Sequence, residues 1–312
     1  MYRIEKYNDA YLKTWDDYVD KSLNGTFLFR RGFMEYHSDR FEDFSLMVFD
    51  SQKLISVLPA NRVGNEFHSH QGLTYGGLII AENFGAEKTE AIFDAVLSFL
   101  KEENINLLRI KQVIPIYHRQ PVNEMDYILF KKGAKLYRRD MNLAVDYSQE
   151  LSISKSKLKH FRRVSSLGLE IRKDNNFRLF WDEVLIPRLQ DRHGVKPVHT
   201  ADEIELLHNR FPENILQYNA YFEERIVAGI TLFCFDNVLK SQYGATTAEG
   251  EKLRALDYLF ITLIDSFKDK KHYFDMGTPN ENEGKTYNKG LLKQKEELGC
   301  SVYTQDFYEL SI

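Results

Sequence analysis

Residues 272–310 read HYFDMGTPNENEGKTYNKGLLKQKEELGCSVYTQDFYEL, a strand, a loop, a helix and a second strand in close succession. Tyr273–Met276 is a short apolar strand that Gly277, Thr278 and Pro279 bring to a stop. Asn280–Lys285 is a polar loop. A helix begins near Tyr287 and runs to Leu298, where Gly299 suits the left-handed position that closes many helices. Val302–Leu310 alternates in polarity and completes the unit as a strand. Within the helix, Leu291, Gln294, Lys295 and Leu298 share one face at three- and four-residue spacing, which sets Lys295 beside apolar contacts. A lysine held there can offer a fixed positive charge to a phosphate or to a developing oxyanion. Equally, its stem can cover the core while the ammonium reaches water.

Outward from this unit, an order of elements occurs twice. Ile215–Phe222 and Ile226–Phe235 form a hairpin across Glu223-Glu224-Arg225. Val238–Ala245 is a strand containing Tyr243-Gly244-Ala245, Glu251–Phe267 a long helix, and Tyr273–Gly277 the next strand. Earlier in the chain, Phe44–Phe49 and Lys53–Asn61 form a hairpin. Gly72–Ile80 reads as a strand broken by Gly76 and Gly77. Ala86–Glu102 is an amphipathic helix and Leu107–Lys111 a strand. Ile55 answers to Ile226 and Tyr75 to Tyr243, an offset of about 170 residues. The pattern predicts two similar α/β domains, residues 1–147 and 148–312, each a mixed sheet flanked by helices. Two helices precede the first hairpin, Tyr11–Ser22 and Phe33–Asp39.

Between the copies lies LSISKSKLKHFRRVSSLGLEIRK, residues 151–173. Ser152 or Ser154 can cap a helix that runs to Ser166 and stops at Gly168. Lys155, Lys159, Arg162 and Arg163 group on one side of it. They form either an anion-binding face for a diphosphate or acidic substrate, or a solvated interdomain surface. Phe177–Gln190 is an aromatic-rich helix, and Asp191–Pro197 a polar loop able to serve as a lid.

The chain has 312 residues, 43% of them hydrophobic, enough for two cored domains. A net charge of −4 argues against a general nucleic-acid coat. The 2 cysteines are too few for a disulfide framework. No apolar run reaches membrane-spanning length and the opening MYRIEKYNDA is no signal peptide, so a cytoplasmic protein without a membrane span is expected. No metalloprotease, P-loop or dinucleotide motif is present. His68 and His70 would share a strand face without a third ligand, so no metal is expected. What remains is glycine-broken central strands, whose freed backbone N–H groups can bind an acyl carbonyl and its tetrahedral oxyanion.

Hairpin, broken strand, helix and splayed final strand resemble the GNAT acyltransferase fold. Two tandem copies resemble the FemAB-like, or BioF2-like, acetyltransferase-domain proteins, relatives of the Fem-type aminoacyltransferases. Carrying the resemblance are Tyr75-Gly76-Gly77, the Lys155–Arg163 helix, and Phe274-Asp275-Met276-Gly277 followed by Gly290-Leu291-x-x-Gln294-Lys295-x-x-Leu298-Gly299. The family pattern there is Gly-Leu-x-x-Phe-Lys-x-x-Phe-Gly; this chain has Gln294 and Leu298 where aromatics are usual. Heptads for the coiled-coil arm that handles transfer RNA are lacking, so tRNA is not the favoured donor. The phosphate loop of GNAT enzymes is replaced by Thr246–Lys252, where Glu249 and Glu251 oppose a diphosphate at a helix start.

The resemblance implies an N-acyltransferase that moves an acetyl or aminoacyl group to an amino group of a small-molecule or cell-envelope precursor, such as a nucleotide-linked amino sugar. Acyl-CoA, acetyl-CoA among them, would be the co-substrate. It also implies that Lys295 holds a phosphate or the oxyanion, that Asp275 and Tyr243 move protons, and that Lys155, Lys159, Arg162 and Arg163 hold the acceptor's diphosphate. Tyr75, Asn280 and Tyr287 are further substrate-binding candidates, and the C-terminal copy is the one expected to be catalytic. The alternatives are an acetyl-CoA-dependent acetyltransferase on a small amine, and a silent tandem module that binds a sugar nucleotide or a partner protein.

Overall fold

Runs rich in apolar, β-branched and aromatic residues along Ile215–Phe222, Arg225–Cys234 and Val238–Thr246 give three strands that pair antiparallel in sequence order. In the computed structural model, which describes residues 2–82 and 84–312, the chain divides into two units. The first comprises Met1–Asp140, Glu283–Lys285 and Thr304–Ile312; the second comprises Met141–Asn282 and Thr286–Tyr303. The expected division lay after residue 147. The strand Lys135–Asp146 instead contributes its first part to one unit and its last part to the other. The end of the chain likewise returns to the first unit, where Phe307–Ser311 pairs antiparallel with Leu107–Lys111. Which neighbour each part of a long strand finds is a tertiary matter that local pattern does not carry.

The second unit holds a sheet in the order Glu170–Lys173, Ile215–Phe222, Arg225–Cys234, Val238–Thr246, Tyr273–Gly277 and Met141–Asp146. All neighbours are antiparallel except Val238–Thr246 with Tyr273–Gly277, which the helix Ala255–Phe267 connects as a crossover. One face of the sheet, with Leu216, Ala220, Ile230, Leu232 and Leu239, packs on Leu259, Phe260, Leu263 and Ile264 of that helix and on Val164 of the helix Lys155–Val164. Ser154 caps the latter, its side chain accepting from the Lys157 N–H.

The opposite face carries a buried polar run. The Thr231 hydroxyl donates to Gln217, whose amide donates to Asn219. Over it lie Phe177, Phe180 and Trp181 of the aromatic-rich helix, which continues to His193 and so absorbs the start of the expected loop. Trp181–Leu185 is a π-helical turn, with the Ile186 N–H reaching the Trp181 carbonyl. Pro187 explains it: with no N–H and a ring that crowds the preceding turn, it spoils the regular ladder there.

The first unit has a four-stranded antiparallel sheet, Arg3–Lys6, Leu46–Asp50, Lys53–Leu58 and Ile79–Ile80, and further strands in the order Phe307–Ser311, Leu107–Lys111, Glu66–His68, Asn61–Val63 and Glu42–Asp43. The helices Gly85–Glu102 and Glu124–Lys131 close its core. Here the sequence expectation needs correction. Gly72–Ile80 is not a strand with a central break. Only Ile79–Ile80 pairs in a ladder, and Gly76 makes an isolated bridge to Gln112. Gly77 sits at φ +110, outside any ladder conformation. Tyr75 is fully buried against Phe29 and Tyr117, in the core and not in a site.

Candidate active site

Two parallel strands of the second unit pair only over Val238–Lys240 against Tyr273–Asp275. Beyond Lys240 the first strand runs on to Thr246, while the second ends at Gly277. The parting has a local cause. Thr231 pairs with Tyr243 and Leu232 with Ser241, so Gln242 is an extra residue, a bulge that bends its strand away. Gly277 then turns at φ +72.

The parted ends floor a cleft of about 660 Å³, lined by Gly244–Thr246 on one strand and Thr278–Glu281 beyond the other. Its walls are Leu185, Arg188, Leu189 and Arg192 of the aromatic-rich helix, Gly250–Asp257 in part, and Gly290, Leu291, Lys293, Gln294 and Glu297 of the helix Lys289–Glu297. Charges of both signs meet there, and the ion pairs join them. Lys157, nearly buried, donates to Asp257 at 2.7 Å and stands 3.9 Å from Glu297. Glu251 accepts from Arg188 at 2.7 Å and from Arg192 at 2.6 Å. Those two arginines hold its carboxyl below the usual range. Glu249 accepts from Arg225 at 3.0 Å. The acidic character read from Thr246–Lys252 is thus neutralised in three dimensions. The helix read as Glu251–Phe267 is two and not one, Ala248–Leu253 and Ala255–Phe267, broken by Arg254 in the left-handed conformation at φ +61.

Lys295 and Asp275 come together beneath the cleft. Asp275 is fully buried. One of its oxygens accepts from the Gly277 N–H at 2.6 Å and the Asn142 amide at 2.9 Å; the other stands 3.3 Å from Lys240. Lys295 is 4% exposed and donates to the carbonyls of Gly277 at 2.8 Å and Thr278 at 3.0 Å. Burial pushes its ammonium down to about 8, with Asp275 opposing and Lys240 adding to the shift. Neither reading of Lys295 from its spacing describes it: the ammonium faces neither water nor a vacant anion site, but ties the helix Lys289–Glu297 to the strand end that edges the cleft. Asp275 likewise fixes the turn.

The other candidates scatter. Asn280 lines the cleft and its side-chain oxygen accepts from the Met141 N–H at 2.7 Å. Tyr243 lies on the polar face of the sheet, its hydroxyl 2.5 Å from His199 Nδ1, and burial raises it to about 12. Tyr287 is exposed on a two-residue strand. Lys155, Lys159, Arg162 and Arg163 are exposed on their helix and do not line the cleft. The basic residue of that helix that does is Lys157. Its spacing to Phe161 and Val164 is the inward helical stripe, and that signal was legible in the sequence. Lys240, Arg188, Arg192 and Asp257 gave no comparable signal, because their partners come from distant segments.

Residues 152–287, which supply most of the cleft but not its wall from the helix Lys289–Glu297, match the family described as acetyltransferase (GNAT) domain. Among solved structures, FemX is similar over 99% of this chain and 97% of its own, with a TM-score of 0.72 at 11% identity. The tandem GNAT protein from the clavulanic acid biosynthesis pathway is similar over 100% and 98%, with a TM-score of 0.54 at 9% identity. The chain has the fold of FemX and of a tandem GNAT protein. It is an acyltransferase in class. A protein of Agrobacterium fabrum taken to be a lysylphosphatidylglycerol synthetase, through its C-terminal domain, shares the fold over 86% of this chain and 84% of its own, with a TM-score of 0.60 at 11% identity. Comparison of the sequence with curated proteins gives no match. A GNAT domain implies an acyl-CoA co-substrate. The cleft suits one in its chemistry, with Lys157, Arg188, Arg192, Arg254 and Lys293 as cations beside the apolar Leu185, Leu189, Leu256 and Leu291. No helix among the described residues is long and apolar enough to cross a membrane.

Proposed function

We propose that the second unit transfers an acyl group, first of all an aminoacyl group, to the amine of a small acceptor within this cleft. The observation that carries the reading is the parting of Val238–Thr246 from Tyr273–Gly277 over a space of about 660 Å³. In the first unit, the place where Gly76 bridges Gln112 leaves a pocket of only about 80 Å³. An acyl carbonyl laid against the unpaired edge of Gly244–Thr246 would meet backbone N–H groups in position to receive an oxyanion. The attacking nitrogen must be neutral, forms the new C–N bond, and gives its proton up as the leaving group departs. Lys295 and Asp275 act as positioning residues, since they hold the Gly277 and Thr278 backbone and not the reacting atoms.

Aminoacyl transfer is supported by the mixed charge of the cleft. Asp257, Glu281 and Glu297 can meet an ammonium while the cations meet phosphate. The names of FemX and of the lysylphosphatidylglycerol synthetase point the same way. A cytoplasmic nucleotide-linked amino sugar of the cell envelope is the acceptor we favour, with the exposed Lys155, Lys159, Arg162 and Arg163 outside the cleft as a landing face for its remainder. A second reading, acetyl transfer from acetyl-CoA, gains from one observation: the arginines that neutralise Glu249 and Glu251 remove the charge opposing a diphosphate. Mass spectrometry of acceptor products with acetyl-CoA, or with a mixture of charged tRNAs, against UDP- and CMP-linked amino sugars separates the two. Leu291→Trp, which fills the cleft from its exposed wall, should abolish either reaction. Undiminished transfer in that variant, or no transfer from either donor class, sinks the assignment.

A further inference from the structure

In the first unit, the turn after the strand Glu66–His68 is tied down from two sides. The Gln71 N–H donates to Asn61 Oδ1 at 2.7 Å, and the Asn61 amide donates back to Gln71 Oε1 at 2.9 Å. The Lys111 ammonium donates to the carbonyls of Gln71 at 3.0 Å and Leu73 at 2.8 Å. Between these ties His70 takes the left-handed conformation at φ +60. A residue with a Cβ seldom adopts it, and it persists only where the surroundings impose it. His70 is 4% exposed, and burial keeps its ring neutral down to about 3. Its Nδ1 accepts from the Gly72 N–H at 3.2 Å, so the proton sits on Nε2. That N–H has no hydrogen-bond partner among the described residues.

His70 lines a cavity of about 180 Å³, together with Arg31, Met34, Glu35, Phe41 and Asp43 among others. Arg31 is buried and committed to its acids, donating to Glu35 at 3.0 Å and to Asp43 at 2.5 Å. Those two carboxylates are 36% and 37% exposed, and against one guanidinium they leave the lining with an excess of negative charge. The cavity thus offers one buried N–H donor, two carboxylates with lone pairs to spare, and the apolar Met34 and Phe41. A metal is a poor fit, because a ring with its proton on Nε2 turns no lone pair toward the space. Roughly 150 Å³ already holds one six-membered ring.

We propose that this cavity binds a small hydroxylated amine, no larger than one six-membered ring, whose ammonium meets Glu35 and Asp43 and whose oxygen accepts from His70 Nε2. The left-handed turn and its ties set the donor in place before the ligand arrives, which removes an ordering cost from binding. The site lies wholly within the first unit and does not rest on the acyl-transfer reading of the second.

The test is saturation-transfer NMR and calorimetric titration of the full chain with ethanolamine and with D-glucosamine, each against its neutral counterpart, ethylene glycol or D-glucose. Mildly acid solution protonates both amines and leaves His70 neutral. At least one amine should bind, roughly tenfold more tightly than its neutral counterpart, the worth of a hydrogen bond to a charged acceptor. His70→Gly should weaken that binding roughly tenfold. Glycine takes φ +60 without strain, so the turn keeps its shape, and a cooperative urea transition shows that the variant is folded. Glu35→Gln, at a partly exposed position, should weaken the amine roughly threefold to tenfold and leave the neutral counterpart unchanged. The proposal is overturned if neither amine binds, if the neutral counterpart binds as tightly, or if either variant binds the amine like the native protein.

Discussion

Replacing Lys295 by Met should produce a stability difference that depends on pH in one direction only. The stem of Lys295 is buried, and Met keeps most of its volume. At pH 7.5 the native protein holds a buried ammonium whose folded value is about 8 against an ordinary 10.5. That gap corresponds to about 3 kcal/mol against the charged form. The variant is relieved of this cost but orphans the Gly277 and Thr278 carbonyls, at about 1–3 kcal/mol each. The two effects nearly cancel at pH 7.5. As pH rises past about 8, the folded lysine loses its proton while the unfolded chain keeps its own up to 10.5, so the unfolded state binds more protons and stability climbs. A neutral amine still has two protons for the two carbonyls, so deprotonation breaks neither bond. The native protein should therefore gain about 2 kcal/mol over the variant between pH 7.5 and 9.5. Lys111 is pushed to about 8 by burial and titrates alike in both proteins, and Cys300, pushed up to about 12, stays a thiol in both folded states, so the difference isolates Lys295. Urea unfolding followed at Trp181, in a Trp15→Phe background, reads the second unit. A difference that stays flat or narrows with rising pH would refute the account of Lys295 as a desolvated, carbonyl-bound ammonium.

Asp275→Asn removes the carboxylate between Lys240 and Lys295 and should cost about 3–5 kcal/mol in the same urea experiment, as buried pairs do when one partner goes. Gly250→Ala should lower the melting temperature despite alanine's helix preference, because its Cβ would lie 2.1 Å from the Val227 carbonyl oxygen. Tyr243→Phe leaves His199 without its hydroxyl partner and should cost about 1–3 kcal/mol, with the cleft unaffected. Lys159→Ala, on an exposed face, should stay within about 0.5 kcal/mol of native stability, so any loss of acceptor binding it causes reports contact and not folding.

The hairpins, the crossover helix and the strand ending at Gly277 were legible because each rests on a local pattern or a stop residue: Ile215–Phe222 on alternation and Arg225–Cys234 on a continuous apolar run, Gly299 on a positive φ, the Lys155 helix on the Ser154 cap. Gly72–Ile80 misled because two glycines inside an apolar run look alike whether they break a ladder or end one. Gly76 abuts the Ser69 carbonyl, a contact that spacing cannot show. The site was half legible. Lys295 and Asp275 were picked out by their flanking motif, yet the contacts of Asp275 come from Lys240 and Asn142, on strands far off in sequence. Tyr243 was chosen for its strand end and faces the other side of the sheet, because the Gln242 bulge shifts the alternation there.

Charge shows the same limit more sharply. In sequence, Glu249 and Glu251 stand beside a helix start with Lys252 alone to balance them, and the natural conclusion is a loop hostile to phosphate. The fold brings Arg225 to the first, and Arg188 and Arg192 to the second. The same acids are thereby neutralised, so the sign of the loop is set by the fold and not by its composition. The exposed row of Lys155, Lys159, Arg162 and Arg163 is the converse: conspicuous in sequence, it lies outside the cleft, while the buried Lys157 of the same helix faces Asp257 within it. An ionic group reveals a site through the partner it has been given, and partners are assigned by the fold.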